Sequence, residues 1–103
     1  MIRRIVVFKM KEAANGKSAL ENAEILAEMF NQLKDKLEFL IDIKAGACIN
    51  DICGYHMGLT VDYQNQEDIQ KYTDDKNHLA VKNFVEKVIE TRTIVDYVVE
   101  NDL

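Results

Sequence analysis

A tyrosine and a histidine, six positions apart, are the residues of this sequence best suited to carry out chemistry. Tyr72 and His78 flank the polar stretch Thr-Asp-Asp-Lys-Asn, which separates two segments with helical apolar spacing. On one continuous helix, six residues turn through about 600°, which leaves the two side chains about 120° apart. A break would let the phenol and the imidazole face each other. We therefore predict an interrupted helix that carries a possible acid–base pair on a pocket wall.

Each of these side chains has both a chemical and a structural interpretation. An imidazole can act as a general base near neutral pH, and a phenol can donate a hydrogen bond to a developing oxyanion. The imidazole of His78 could equally be satisfied by a carboxylate or the backbone, and the Tyr72 ring could simply fill the core. Asp96 interrupts an apolar strand and needs a partner if it is buried. The candidate partners are His78, Arg4 and Arg92.

The apolar periodicity predicts the elements that must position these residues. β-branched or alternating apolar residues predict four strands, over residues 2–11, 43–49, 55–63 and 93–99. Ser18 and Glu21 have capping-box spacing, and the apolar residues after them predict an amphipathic helix of about six turns that extends to Leu40. Asn65 can cap the second helix, which the polar stretch interrupts. It resumes over residues 79–89.

This order of elements predicts a ferredoxin-like α+β fold. A β-α-β-β-α-β chain forms an antiparallel four-stranded sheet, and both helical segments cover one face. The first and last strands are apolar on both faces, and an apolar sheet face of this size would not stay exposed. We therefore expect a homodimer, possibly a larger oligomer, in which two sheets pack face to face as a dimeric α/β barrel.

Length, charge and composition narrow the functional classes. A chain of 103 residues predicts one domain over residues 1–103. The net charge is −5, and no basic block exists beyond Arg3-Arg4, so we expect no nucleic-acid partner. No apolar run approaches the ~20 residues that cross a bilayer, and the N-terminus lacks a cleavage site; we expect a cytoplasmic protein with no membrane partner. Two histidines and the lone pair Cys48 and Cys53 predict neither a metal site nor a cofactor.

Both ends of the chain carry a family resemblance. The opening Met-Ile-Arg-Arg-Ile-Val-Val-Phe-Lys-Met-Lys resembles the first strand of the stress-responsive dimeric α/β-barrel domain family, and Arg92-Thr-Ile-Val-Asp-Tyr97 follows its Arg-x-Val-Val-Asp-Tyr pattern. The stretch from Tyr72 to His78 matches in order and spacing. The family includes plant stress-associated proteins and a plant polyketide cyclase. The resemblance implies that Tyr72 and His78 line a cavity between helices and sheet, and that Asp96 lies near His78 and orients it.

These observations lead to a ranked set of functional predictions. We expect the protein to bind a small apolar or aromatic ligand in that cavity. The side chains expected to contact the ligand are Arg4, Met57, Phe30 and Phe84. The first alternative is a cyclase-like enzyme, in which His78 removes a proton next to a carbonyl, Asp96 orients it, and Tyr72 stabilises the enolate. A related barrel could instead act as a cofactor-independent monooxygenase.

The remaining alternative is a purely structural, stress-associated oligomer. In such a protein, the space beside Tyr72 and His78 would be filled by Phe30, Phe84 and Met57. A ligand-binding protein or an enzyme would instead have a cavity that both Tyr72 and His78 reach.

Overall fold

The first strand lies inside the sheet, between two antiparallel neighbours. The computed structural model describes residues 1–100. Its sheet has the strand order β4-β5-β1-β6. These strands are β1 (Ile2–Met10), β4 (Asp42–Ala47), β5 (Met57–Tyr63) and β6 (Ile89–Val98). The short strands β2 (Ala13–Ala14) and β3 (Lys17–Ser18) form a hairpin. The helices are α1 (Ala19–Gln32), α2 (Gln66–Asp74) and α3 (Lys76–Val88).

The predicted ferredoxin-like α+β fold is confirmed, with corrections at several boundaries. The last strand begins at Ile89 rather than at residue 93, because Ile89 pairs with Met10 at a register shift in β1. The first helix ends at Gln32 and is followed by a 3₁₀ turn, so its predicted six turns were too many. Leu33 and Leu37 are nevertheless both buried. The Leu37 amide donates to the Leu33 carbonyl at 2.9 Å, so helical spacing is kept for one more turn. Apolar spacing of three and four residues therefore continues past the end of the helix.

One face of the sheet and the inner faces of the helices form the core. Side chains alternate across a strand, so Val6, Phe8 and Met10 of β1 point toward the helices together with alternate residues of β5. The rings of Phe8 and Phe30 lie 5.8 Å apart between their centroids. The core therefore lies between the sheet and the helix layer.

Two adjacent arginines of β1 form ion pairs on opposite faces of the sheet. Arg3 donates from Nε and Nη2 to both carboxylate oxygens of Asp62, at 2.8 and 3.0 Å. Arg4 makes the same two-bond contact with Asp96, also at 2.8 and 3.0 Å. Each arginine lies directly opposite its aspartate on a neighbouring strand. A slip of one residue would turn both arginines to the wrong face, so these pairs favour one register.

Local capping accounts for where the helices begin and where they break. The Ser18 hydroxyl accepts from the Glu21 amide at 3.2 Å, and the Glu21 carboxylate accepts from the Ser18 amide at 3.1 Å, as the capping box predicts. The Asn65 side chain caps α2. Asp75 has an extended backbone, with φ −66° and ψ 135°, and its carboxylate accepts from the Asn77 amide at 2.7 Å. This one residue ends α2 and begins α3.

The second face of the sheet has no covering layer in this chain. Arg3 and Asp62 lie on it, together with apolar residues of β1 and β6. Val95 is 53% exposed and Tyr97 is 43% exposed. Strand β6 also lies at the edge of the sheet and is exposed along nearly its whole length. Within residues 1–100, no helix is long and apolar enough to span a membrane.

Candidate functional site

The break at Asp75 brings Tyr72 and His78 together. Tyr72 lies in the last turn of α2, and His78 lies in the first turn of α3. Their ring centroids are 4.1 Å apart, and their planes are tilted by 41°. The two rings are therefore in contact, as the polar interruption in the sequence predicts.

The Tyr72 hydroxyl is buried and has no hydrogen-bond partner among the described residues. The residue is 2% exposed. Its ring contacts Tyr63 edge to face, with 5.8 Å between centroids, and the Tyr63 hydroxyl is also buried without a partner. Burial raises the pKa of both phenols well above the ordinary value. Both hydroxyls therefore keep their protons at neutral pH and remain potential donors.

A small cavity of about 110 Å³ lies against both rings. Its apolar lining comes from β1, β5 and β6, namely Val6, Phe8, Leu59 and Ile94. Its polar lining consists of Arg4, Tyr72, Thr73, His78, Lys82 and Arg92. Ile94 is 43% exposed and Arg92 is exposed, so the mouth of the cavity lies at β6.

Larger hollows exist elsewhere on the surface, but no described residue with a buried, unpartnered hydroxyl lines them. One of about 390 Å³ lies beside residues 48–56 and includes Cys48, Tyr55 and His56 in its lining. None of the buried, unpartnered polar atoms of the described residues lines that hollow. The smaller cavity at Tyr72 therefore has the stronger claim to be a site.

The surroundings of His78 favour its neutral form. Its Nδ1 lies 3.3 Å from the Thr73 carbonyl oxygen, which can only accept a hydrogen bond. With Nδ1 as the donor, Nε2 holds the lone pair. Burial lowers the pKa of His78, and the Thr73 contact only partly opposes this effect. The positive charges of Lys82, Arg4 and Arg92 lower the pKa further. A neutral imidazole can accept a proton from a ligand.

Asp96 does not take the position expected from the family resemblance. Both of its carboxylate oxygens accept from Arg4, and this contact lowers the pKa of Asp96. The strand register explains the difference, because Asp96 lies opposite Arg4 on β6. The imidazole of His78 is held by the Thr73 carbonyl instead. Asp96 therefore orients the Arg4 guanidinium and not the imidazole.

Arg4 lines the cavity, but its charge is already paired. Its guanidinium carbon lies 6.0 Å from the centroid of the Tyr63 ring, and its ion pair with Asp96 raises its pKa. Arg4 thus connects the polar wall of the cavity to the edge strand. A ligand would have to compete with Asp96 for its donors.

Three of the residues expected to contact a ligand lie outside the cavity lining. Met57 and Phe30 are 2% and 3% exposed and belong to the core. Phe84 is half-buried and packs against the same core. A purely structural oligomer was expected to have the space beside Tyr72 and His78 filled by these three side chains, and none of them lines the cavity there.

Two cations of the lining were not predicted as site residues: Lys82 was not singled out, and Arg92 was expected only as a candidate partner for Asp96. Lys82 follows His78 by four residues, and this spacing places two side chains on the same face of a helix. Arg92, Ile94 and Asp96 alternate along β6, so they share the face of the sheet that points toward the helices. Helical and strand periodicity could therefore have identified both cations.

The other histidine has a structural contact, and no metal cluster accompanies it. The His56 Nδ1 accepts from the Met10 amide at 2.9 Å, next to the register shift in β1. Cys48 and Cys53 are free thiols. Within residues 1–100, no group of three or more histidine, cysteine and acidic side chains could hold a metal ion.

Comparison with known proteins decides the family. The family model described as the Stress responsive A/B Barrel Domain matches residues 2–99. The chain belongs to this family. The family prediction made from the two ends of the sequence is therefore confirmed. No protein of curated function matches the sequence.

Solved structures similar to this A/B barrel domain share its fold at low sequence identity. A dimeric ferredoxin-like protein of unknown function from Thermobifida fusca has a TM-score of 0.80 at 18% identity, over 95% of this chain and 90% of that one. A dimeric protein of unknown function from Bacteroides fragilis has a TM-score of 0.76 at 22% identity, over 93% of both chains. A hydroxynitrile lyase from Passiflora edulis has a TM-score of 0.75 at 14% identity, over 99% of this chain and 95% of that one.

The lowered pKa of His78 predicts a pH-dependent stability. Since the unfolded chain takes up the proton more readily, the folded state loses stability as the pH falls below about 6.5, the ordinary pKa of histidine. Above that pH, His78 is neutral in both the folded and the unfolded chain, and its protonation does not affect the free energy of unfolding. We expect the melting temperature of the wild type to fall more steeply between about pH 7 and 5 than that of His78→Gln. Calorimetry over this range measures both slopes.

His56 is present in both proteins, and so are all carboxylates, so their contributions cancel in the comparison. Equal slopes for the wild type and His78→Gln would contradict a depressed pKa at His78.

Proposed function

We propose that this A/B barrel domain binds a small apolar or aromatic ligand in the cavity beside Tyr72 and His78. The observation that carries the proposal is Tyr72, which lines the cavity and whose buried hydroxyl has no hydrogen-bond partner among the described residues. An unsatisfied buried hydroxyl costs about 1–3 kcal/mol. A ligand with a hydrogen-bond acceptor would recover this energy while its apolar part covers Leu59 and Ile94.

The size of the cavity limits the ligand. Pockets for drug-sized molecules usually span about 300–1,000 Å³, and this one has a volume of about 110 Å³. The ligand must therefore be a single small ring or a short chain, or it must project from the mouth at β6. A ligand of this kind fits a lining of both polar and apolar side chains better than a large hydrophobic molecule does.

Filling the mouth of the cavity tests this proposal. Ile94→Phe places a larger side chain in the lining, and because Ile94 is 43% exposed, the core should tolerate the change. We expect benzamide, a small neutral aromatic amide, to shift the NMR signals of Tyr72 and His78 saturably in the wild type. In Ile94→Phe we expect at least about tenfold weaker binding, since the larger ring occupies space that the ligand would fill.

Val98→Phe is the matched control, because Val98 lies on the same strand and the same face but outside the cavity lining. Gel filtration of both variants monitors their oligomeric state. Saturable benzamide binding that is unchanged by Ile94→Phe would contradict a ligand site in this cavity.

A second candidate function is proton transfer next to a carbonyl group. The observation that favours it is the pairing of a neutral imidazole with a protonated phenol at one cavity. In this reaction, Nε2 of His78 takes a proton from the carbon next to the carbonyl. The C–H electron pair forms the enolate, and the Tyr72 hydroxyl donates a hydrogen bond to the enolate oxygen. The fold neighbour from Passiflora edulis is a lyase, so this fold can accommodate a catalytic site.

Hydrogen–deuterium exchange at the methyl group of acetophenone in D₂O measures this step directly. We expect exchange with the wild type to exceed that of buffer, and His78→Ala to abolish the excess. Tyr72→Phe keeps the ring but loses the donor, and it should slow exchange by about a hundredfold. Lys87→Gln, an exposed change on the same helix, should exchange at the wild-type rate. Wild-type exchange at the buffer rate would exclude catalysis of this reaction while leaving binding possible.

We further propose that the uncovered sheet face packs against a second copy of the chain. Val95 and Tyr97 leave apolar surface exposed on this face, and burying such surface contributes about 25 cal/mol per Å². Similar structures from Thermobifida fusca and Bacteroides fragilis are described as dimeric. A face-to-face homodimer would cover both sheets and form the dimeric α/β barrel expected from the sequence.

A charge on this face should dissociate the homodimer. Val95→Glu places a carboxylate at an exposed position of β6, where it leaves the core of one chain intact but is buried in the dimer. We expect the elution volume and the light-scattering mass to change to those of a monomer. Leu79→Glu, on α3 and 42% exposed, is the matched control and should stay dimeric. A dimeric Val95→Glu protein would contradict sheet-to-sheet packing.

A further inference from the structure

We propose that the cavity selects ligands that carry a negative charge, with Lys82 and Arg92 as the residues that recognise it. This inference rests on the proposed ligand-binding function and adds the chemical class of the ligand. The ligand class is a small carboxylate attached to a ring or short hydrocarbon.

The charged residues of the cavity lining all have the same sign. Arg4, Lys82 and Arg92 line it, and no aspartate or glutamate of residues 1–100 does. This is unusual for a chain whose net charge is −5. Asp96 pairs with Arg4 from outside the lining. Within residues 1–100, Lys82 and Arg92 make no ion pair with a carboxylate. Two positive charges at the cavity are therefore not held in ion pairs by the described residues.

The two cations reach the cavity from different layers of the fold. Lys82 lies one helical turn after His78 on α3, and Arg92 lies on β6, opposite Phe8. Lys82 is half-buried and Arg92 is exposed at the mouth. A carboxylate between them could accept hydrogen bonds from both cations, and charge-assisted bonds of this kind are stronger than neutral ones.

The buried phenol gives an independent indication of a ligand. Tyr72 is 2% exposed and lines the cavity, and its buried hydroxyl has no hydrogen-bond partner among the described residues. The Thr73 hydroxyl cannot serve a ligand in the same way, because it already donates to the Ile69 carbonyl at 2.9 Å. An anionic oxygen that faces Tyr72 would give this buried donor the partner that the described residues do not supply.

The apolar lining defines the rest of the ligand. Val6, Phe8 and Leu59 are all buried and form the floor of the cavity. A ring or short chain would lie on this floor, with its carboxylate toward the cations. A neutral His78 can be covered by the apolar part at a lower desolvation cost than a charged imidazole could.

Benzoate and benzamide form the test pair, because they have nearly the same shape but differ in charge. We expect benzoate to bind the wild type at least about tenfold more tightly than benzamide, as charge-assisted hydrogen bonds predict. The double variant Lys82→Gln/Arg92→Gln should lose this preference while its affinity for benzamide stays unchanged. Lys87→Gln removes one exposed positive charge from the same helix and should retain the preference. NMR titration measures affinity and location together.

The outcomes separate this inference from the function on which it rests. If both probes bind in the cavity with equal affinity, ligand binding stands and the anion preference is wrong. If benzoate is still preferred by the double variant, Lys82 and Arg92 are not the recognition residues, and the inference is overturned. If neither probe shifts the signals of Tyr72 and His78, both the proposed binding function and this inference fail.

Salt dependence provides a second measurement that does not rely on substitutions. Raising the salt concentration from about 0.05 to 0.5 M screens charge interactions at the cavity mouth. Benzoate binding should weaken several-fold, while benzamide binding should not change. Equal salt effects on both probes would contradict recognition of charge.

Discussion

The two ion pairs of the central strand set the geometry on which the site depends. Arg3 and Arg4 are neighbours in the chain, so they point to opposite faces of the sheet, and each meets an aspartate directly across from it on the strand to either side. The Arg3–Asp62 pair links β1 to β5, and the Arg4–Asp96 pair links β1 to β6. This register places Arg92 and Ile94 on the helix face, at the mouth of the cavity. A shifted register would turn both residues away from the helices.

The break at Asp75 provides the second half of the site. A continuous helix would separate the phenol from the imidazole, whereas the two capped helices bring their rings into contact. Burial then acts on both groups in the direction that keeps them uncharged, because it raises the pKa of Tyr72 and lowers that of His78. The result is a neutral donor and a neutral acceptor beside a small cavity. The positive charges at the rim reinforce the neutral form of His78.

Local patterns in the sequence predicted the fold and the central pair of residues, but not the contacts between strands and helices. The capping residues Ser18 and Asn65 and the break before His78 follow from interactions within a few residues, so they are visible in the sequence. The contact between Asp96 and Arg4 depends on strand register, which the sequence pattern did not specify, and the resemblance to a family placed Asp96 beside His78 instead. The first helix was predicted to be too long because Leu33 and Leu37 keep helical spacing in a turn. Met57 and Phe30 are apolar, but apolar character alone does not distinguish a cavity wall from a filled core.

The central claim is that the space beside Tyr72 and His78 is a ligand site and not an incidental gap in packing. A crystal structure of the protein grown with benzoate tests this claim most directly. We expect density for one benzoate in the cavity, with a carboxylate oxygen about 2.7 Å from the Tyr72 hydroxyl and the ring against Leu59. A cavity that holds only water, with benzoate absent or bound solely in another hollow such as the one beside residues 48–56, would contradict it.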